Sequence, residues 1–357
     1  MLRNLLLYIV QNNYSDLHLV TNSVPYGRKV GEIKPLTQFD KITKEIMNSF
    51  VEELLNGYIN KIQEFERNKQ VDLSYSIEEQ RFRVNIFTQM NKIGIVIRVI
   101  NNKISSLYEL GLPSVIDQFS NFKSGLVLIT GPTGSGKSTT LAALIDKINS
   151  TQRKHILTIE DPIEYVHKNK LSIVNQREVG QDVLSFQSAV KSALREDPDV
   201  ILVGEMRDLE TISNAITIAE TGHLVFGTLH TMSAPQTINR IIDVFEPNAQ
   251  QQIRIQLATV LQAVVCQQLI QSSSEDKYCC ATEIMVVNDA IRGIIRDGRQ
   301  ISGISDSIAM GRREHGTQTL DQSLASLVNN KKIDLNTAIG TCNDRESLKK
   351  YIMAGLN

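Results

Sequence analysis

Apolar and polar positions follow two different rhythms along this chain, and the change of rhythm divides it. Leu2, Leu5, Leu6 and Ile9 recur at helical spacing, as do Ile42, Ile46, Val51, Leu54, Leu55 and Tyr58, with Thr37 and Asp40 as caps for that second helix. Leu17 and Leu19, then Phe82, Val84 and Ile86, then Ile93, Ile95, Ile97 and Val99 instead alternate with their neighbours, which predicts strands buried on one face. A small α+β domain over 1–100 is expected, followed by a connection at 101–122 rich in turn formers and carrying one short helix. Beyond it the strands become unbroken apolar runs: Leu126–Ile129, Ile156–Ile159, Val200–Val203 and Leu224–Phe226, with helical segments between them. Strands that read this way are covered on both faces, so the region 123–270 is expected to be an α/β core with a parallel sheet. A polar Ser-Ser-Ser-Glu-Asp-Lys turn then separates two antiparallel strands, and Leu320, Leu324, Leu327 and Val328 mark a helix opened by Thr319 and Gln322 in a mostly helical region over 271–357.

Composition narrows the function more by exclusion than by suggestion. A length of 357 residues predicts two or three domains. Thirty-eight basic against thirty-nine acidic residues, with 5% aromatics and no Trp, argue against a nucleic-acid binder. No apolar run reaches the roughly 18 residues of a membrane span, so a cytoplasmic protein is expected. The cysteines at 266, 279, 280 and 342 form neither a disulfide framework nor a zinc-ligand pattern.

One segment does carry chemistry. Gly131-Pro132-Thr133-Gly134-Ser135-Gly136-Lys137-Ser138 fits the Walker A pattern, follows a buried strand and opens a helix beginning at Thr139. Its glycines allow backbone N–H groups to turn inward around phosphates at a helix N-terminus, Lys137 neutralises the β and γ oxygens, and the Ser138 hydroxyl is a ligand for Mg²⁺. ATP and Mg²⁺ are therefore the expected substrate and cofactor.

Ligands of open α/β sheets bind beyond the carboxyl ends of the strands. Three predicted strands end in polar residues there: at Glu160-Asp161, at Gly204-Glu205, and at Thr228-Leu229-His230. Glu205, at the end of the Walker B run, is the expected group for orienting the attacking water. Gly204 stands where the usual Walker B aspartate would be, which leaves Mg²⁺ to Ser138, phosphate, water and Glu160 or Asp161. His230 is expected near the γ-phosphate. His223 begins its strand, and geometry alone makes it structural.

These motifs together resemble the PilT-type branch of the secretion ATPase superfamily. The resemblance runs through the Walker A loop, Thr158-Ile-Glu-Asp-Pro-Ile-Glu164, Val174-Asn-Gln-Arg-Glu-Val179, Leu194-Arg-Glu-Asp-Pro-Asp199, Val200–Glu205 with Met206-Arg207-Asp208, and Thr221–Thr231, and reaches Ser15–Leu19 and Ala290–Arg296. It implies a PAS-like domain followed by a RecA-like core, a homo-hexameric ring, and ATP hydrolysis that drives pilus retraction and twitching. It also implies docking on an inner-membrane platform protein, with a paralogous pilus ATPase as a further partner. Both His223 and His230 join the functional core by this resemblance, and Arg83 and Arg98 reach a neighbouring subunit's nucleotide. Arg195 is the arginine of the 194–199 motif; Lys191, four residues earlier, stands where relatives often carry a second arginine and cannot make its bidentate contact. Gly293 and Ile294 depart from the retraction-linked AIRNLIR pattern. An accessory PilU-type motor is the nearest alternative. A pilus-extension or type II secretion ATPase is disfavoured by the missing long N-terminal domain and tetracysteine cluster, and a RecA-like translocase, which would need a basic groove or stacking aromatics, by the 5% aromatics and the absence of Trp.

Overall fold

The alternating strands of the first hundred residues close into an antiparallel sheet of six. In the computed structural model, which describes residues 1–29, 31–78, 80–100, 103–273, 277–298 and 301–355, the chain forms two compact units, Met1–Lys103 and Ile104–Asn357. The first unit runs α1 (Leu2–Gln11), β1 (Asp16–Val20), β2 (Tyr26–Lys29), β3 (Glu32–Pro35), α2 (Lys44–Leu55), α3 (Ile59–Asn68), β4 (Gln70–Ile77), β5 (Gln80–Gln89) and β6 (Lys92–Val99). Its strand order is β3-β2-β1-β6-β5-β4. One face buries Leu17, Leu19, Val84, Ile86, Ile95 and Ile97 beneath the apolar stripes of α1 and α2. Helix α2 is capped by Thr43, whose hydroxyl accepts from the Ile46 N–H, and not by Thr37 or Asp40.

The other face of that sheet is charged. Register places Arg28, Asp16, Arg98 and Arg83 side by side on β2, β1, β6 and β5. The buried Asp16 accepts from the Arg98 Nε at 2.9 Å and from the Ser15 hydroxyl at 2.8 Å, with the Arg28 Nε at 3.8 Å. Burial pushes its carboxyl up, but the hydrogen bonds from Arg98 and Ser15 outweigh this and hold it below the usual carboxylate range.

The second unit continues with α4 (Val115–Gln118), β7 (Gly125–Thr130), α5 (Lys137–Thr151), β8 (His155–Glu160), β9 (Ile173–Glu178), α6 (Phe186–Ala193), β10 (Val200–Val203), α7 (Leu209–Glu220), β11 (Leu224–Leu229), α8 (Ala234–Asp243), α9 (Pro247–Val260), β12 (Leu261–Gln271) and β13 (Tyr278–Val286). The sheet order is β13-β12-β7-β11-β10-β8-β9, parallel except for β13. Residues of each central strand alternate between two cores, Leu126, Leu128, Ile201 and Val203 facing α6 to α9, Val127, Ile129, Val200 and Leu202 facing α5. The unbroken apolar runs therefore reflect burial on both faces. Much of the expected connection at 101–122 is built into this unit: Leu107, Leu112, Ile116 and Phe119 enter the α5-side core, while Asn101 and Asn102 lie outside the described residues. The expected division at 270 falls within β12, and of the turn that follows, 274–276 lie outside the described residues.

Six more helices follow: α10 (Asp289–Asp297), α11 (Gly303–Met310), α12 (Arg312–His315), α13 (Leu320–Asn329), α14 (Leu335–Thr341) and α15 (Arg345–Met353). Thr319 and Gln322 form a full capping box at the start of α13. In α10, Arg292 donates to the carbonyls of Ala258 and Thr259 at 2.6 and 3.0 Å, satisfying the open C-terminal end of α9. Gly293 has no atom within 4 Å of a would-be Cβ, so packing does not demand glycine there. Among the described residues no helix is long and apolar enough to cross a membrane.

Candidate active site

The phosphate-binding loop bridges the buried strand β7 and the N-terminus of α5. Gly131 has φ +137, and a Cβ there would stand 2.3 Å from the Gln267 carbonyl oxygen on β12, so no larger residue fits. Gly134 and Gly136 have φ +80 and +85, which turns the intervening backbone inward. Pro132 and Thr133 form the exposed rim. The Ser135 hydroxyl is buried with no hydrogen-bond partner. Lys137 folds back on the loop, its ammonium donating to the Gly131 and Pro132 carbonyls at 2.8 and 2.9 Å. Burial draws it below the usual lysine range, opposed by the carboxylates of Glu205 and Glu164. An inward-turned backbone, an unmatched buried hydroxyl, an ammonium and the Ser138 hydroxyl on the first turn of α5 make a donor set that fits a polyphosphate with Mg²⁺.

The strand ends supply the acids. Glu205 follows β10 and His230 follows β11, and the His230 Nε2 lies 2.8 Å from Glu205 Oε1, where Arg207 also makes an ion pair. Burial raises the Glu205 carboxyl, but the hydrogen bonds of Arg207 and His230 outweigh it and keep the group below the usual range, hence ionised at neutral pH. At Gly204 a Cβ would stand 3.0 Å from the Ile159 carbonyl and 3.2 Å from the Glu160 Cα. A side chain at 204 would therefore press on the backbone at the end of β8. The Thr228 hydroxyl donates to the Gly204 carbonyl at 2.5 Å, fixing that strand end.

Glu160, at the end of β8, accepts from the Thr158 hydroxyl at 2.7 Å and the Gln176 amide at 3.2 Å. Burial nevertheless pushes its carboxyl up to about 7. It lines a cavity of about 30 Å³ together with Ser138, Gly204, Thr228 and the buried His167, whose Nδ1 has no partner. The following loop is fastened to the P-loop helix by the Tyr165 and Thr139 hydroxyls, 2.9 Å apart. On the other side of α5 a larger cavity, about 220 Å³, is walled by Leu110, Leu112, Leu269 and Tyr278, with Gln267 and Thr140 at its base. Sequence reasoning missed this wall, since scattered leucines at 110, 112 and 269 carry no periodic or motif signal. It also missed Tyr165 and Gln176 as individual residues, although Gln176 stood within a quoted motif.

Glu205, His230, Glu160, Lys137 and Ser138 are thus gathered along one edge of the sheet. His223 and Arg195 are not. His223 precedes β11 at the opposite edge, bonded through Nδ1 to Thr221 and the Ile218 carbonyl, about 20 Å from His230 at strand rise. Arg195 is exposed on the turn after α6 that leads to Asp199, whose carboxylate accepts from the His155 N–H at that same far edge. Arg83 and Arg98 are exposed cross-strand neighbours in the first unit.

This arrangement has close relatives. The chain is 45% identical over 325 residues to the type IV pilus retractation ATPase PilT of Pseudomonas aeruginosa, covering 91% of this chain and 93% of that protein. It is 36% identical over 357 residues to that organism's type IV pilus ATPase PilU, covering 98% and 91%. A crystal structure of the pilus retraction motor PilT with bound ADP superposes with a TM-score of 0.89 at 42% identity, covering 97% of this chain and 98% of that one. With the type II/IV secretion system protein model matching residues 36–341 as well, the chain belongs to that family of ATPases, in its PilT-type branch.

Proposed function

We propose that this protein hydrolyses ATP to power pilus retraction, as a homo-hexamer at the cytoplasmic base of a type IV pilus machine. The observation that carries the reading is the Glu205–His230 pair, 2.8 Å apart beside a complete Walker A loop, in a chain matching PilT along nearly its whole length. Lys137 leaves the Gly131 and Pro132 carbonyls to neutralise the phosphates, and Ser138 supplies the side-chain ligand to the metal. Ser138 would hold Mg²⁺ together with the nucleotide, and the ion would supply positive charge against the charge that builds during transfer. Ionised Glu205 accepts a hydrogen bond from the attacking water and aligns it, and His230 fixes the carboxylate's direction. Glu160 orders water at the Ser138 side. The apolar cavity beside Thr140 suits the base.

Arg83 and Arg98 act on the nucleotide of an adjacent subunit, where guanidinium groups stabilise developing charge. Arg195 and His223, being at the opposite edge of the sheet, contribute across a subunit boundary. The platform protein of the inner membrane is the docking partner, and a paralogous pilus ATPase is a second one. Higher identity to PilT than to PilU favours the retraction motor over the accessory role. The test is a count of surface pili with a twitching assay in the native bacterium carrying Glu205→Gln. Abundant pili without motility is the expected result; loss of pili would make the protein an extension motor.

A further inference from the structure

The geometry points to Gln176 as the residue that positions Glu160, an inference resting on the reading that Glu160 orders water at the reaction centre. Gln176 stands near the end of β9, the edge strand, two residues back in register from the partner of Glu160: Thr158 pairs with Gln176 and Glu160 with Glu178. Its half-buried side chain makes three hydrogen bonds. Oε1 accepts from the His167 backbone N–H at 2.7 Å, while Nε2 donates to the Tyr165 carbonyl at 2.8 Å and to Glu160 Oε1 at 3.2 Å.

The two backbone partners decide which way the amide faces. A peptide N–H can only donate and a carbonyl can only accept, so the reversed amide would set donor against donor at His167 and acceptor against acceptor at Tyr165. With the orientation fixed, Nε2 necessarily presents a donor to the carboxylate. Gln176 therefore does two things at once. It holds the loop 161–167 against the sheet, and it aims one carboxylate oxygen together with the Thr158 hydroxyl. The loop is in turn fastened to the P-loop helix through Tyr165 and Thr139. Gln176 touches neither the P-loop nor the Glu205–His230 pair in any hydrogen bond of the described residues; its direct contact with the reaction centre is Glu160, and its hold on the loop is the indirect route that the cycle below separates from it.

The experiment is a double-mutant cycle on the full-length protein, with turnover and KM for ATP measured for Gln176→Met, Glu160→Gln and the double variant. Methionine keeps the length of the side chain and removes all three hydrogen bonds. We expect kcat to fall about 10- to 100-fold, the range for lost support of a reacting group, with KM changed by less than about threefold and with little further loss in the double variant. Gln176→Glu serves as the second variant should methionine impair folding: it still accepts from the His167 N–H, so the loop keeps one tie, yet it sets an oxygen against Glu160 and the Tyr165 carbonyl, and it should be slow with KM for ATP little changed. Wild-type turnover in these variants, a rise in KM that accounts for the loss, or a loss equally large in the Glu160→Gln background would each overturn the inference. Normal turnover of Glu160→Gln alone would instead sink the underlying reading of Glu160.

Discussion

Replacing Glu160 by glutamine should make the nucleotide-free protein more stable at alkaline pH while making it a slower enzyme. Burial holds the Glu160 carboxyl at about 7 instead of 4.5, against the hydrogen bonds of Thr158 and Gln176 that favour its charged form. In the unfolded chain the group ionises near its ordinary value. Between 4.5 and about 7 the folded protein consequently binds more protons than the unfolded chain, and stability falls as pH rises. The fall is complete above that window and, at about 1.4 kcal/mol per pH unit, amounts to roughly 3 kcal/mol. Glutamine carries no such penalty but gives up one acceptor oxygen, worth about 1 kcal/mol. The net gain is about 2 kcal/mol at pH 8, or a rise of about 4–8 °C in the melting midpoint for a domain of this size. At pH 5, where wild-type Glu160 is largely protonated when folded, the two proteins should melt together to within about 2 °C. Thermal unfolding without nucleotide or Mg²⁺ at the two pH values measures this directly. A midpoint that is unchanged or lower at pH 8 would refute the reasoning, because the buried carboxylate would then have to be compensated by a cation or solvent.

Three other outcomes follow from the same geometry. Gly131→Ala drives a Cβ against the Gln267 carbonyl 2.3 Å away at a φ of +137, so fluorescent-nucleotide titration should show at least about a tenfold loss of affinity, equivalent to roughly 1.4 kcal/mol; unchanged affinity would contradict the close approach of β12. Glu205→Gln should lower phosphate release by about 10²- to 10⁴-fold while leaving ATP affinity nearly intact, and turnover within about threefold of wild type would remove Glu205 from the reaction. Arg83→Ala and Arg98→Ala should each slow hydrolysis by about tenfold or more, the melting midpoint changing little for Arg83→Ala and falling for Arg98→Ala, which leaves the buried Asp16 without its main partner; wild-type rates in both would show that the charged face of the first sheet plays no part in hydrolysis.

The legible parts of the fold were those where burial is symmetrical. Strands β7, β8, β10 and β11 read as unbroken apolar runs because both faces are covered, and helix α1 as a clean stripe because only one is. Strand β9 was silent: as an edge strand it exposes Ile173 and Asn175 and spends Gln176 and Arg177 on polar contacts, so it follows neither rhythm. Strands β2 and β3 are only four residues each, and β3 is exposed throughout, so neither shows alternation. Thr43 was overlooked as the α2 cap because buried Ile42 extended the helical pattern two residues too early. In the site, Lys137, Ser138, Glu160, Glu205 and His230 could be found because each follows a recognisable strand. Gln176 and the leucine wall could not, since their meaning lies in which backbone groups the fold brings opposite them.

The clasp of Arg292 on the end of α9 closes a series of elements that begins at the P-loop helix. Helix α9 passes into β12 with no intervening loop, Val260 being the last residue of one and Leu261 the first of the other. The same strand pairs with β7 and touches α5 through the Gln267 and Thr140 side chains, 2.9 Å apart. The P-loop helix, β12, α9 and α10 are therefore tied into one hydrogen-bonded series, interrupted in register only between Leu261 and Ala263. Shortening Arg292 would take away the donor that closes the last carbonyls of α9 and with it one of the links of that series.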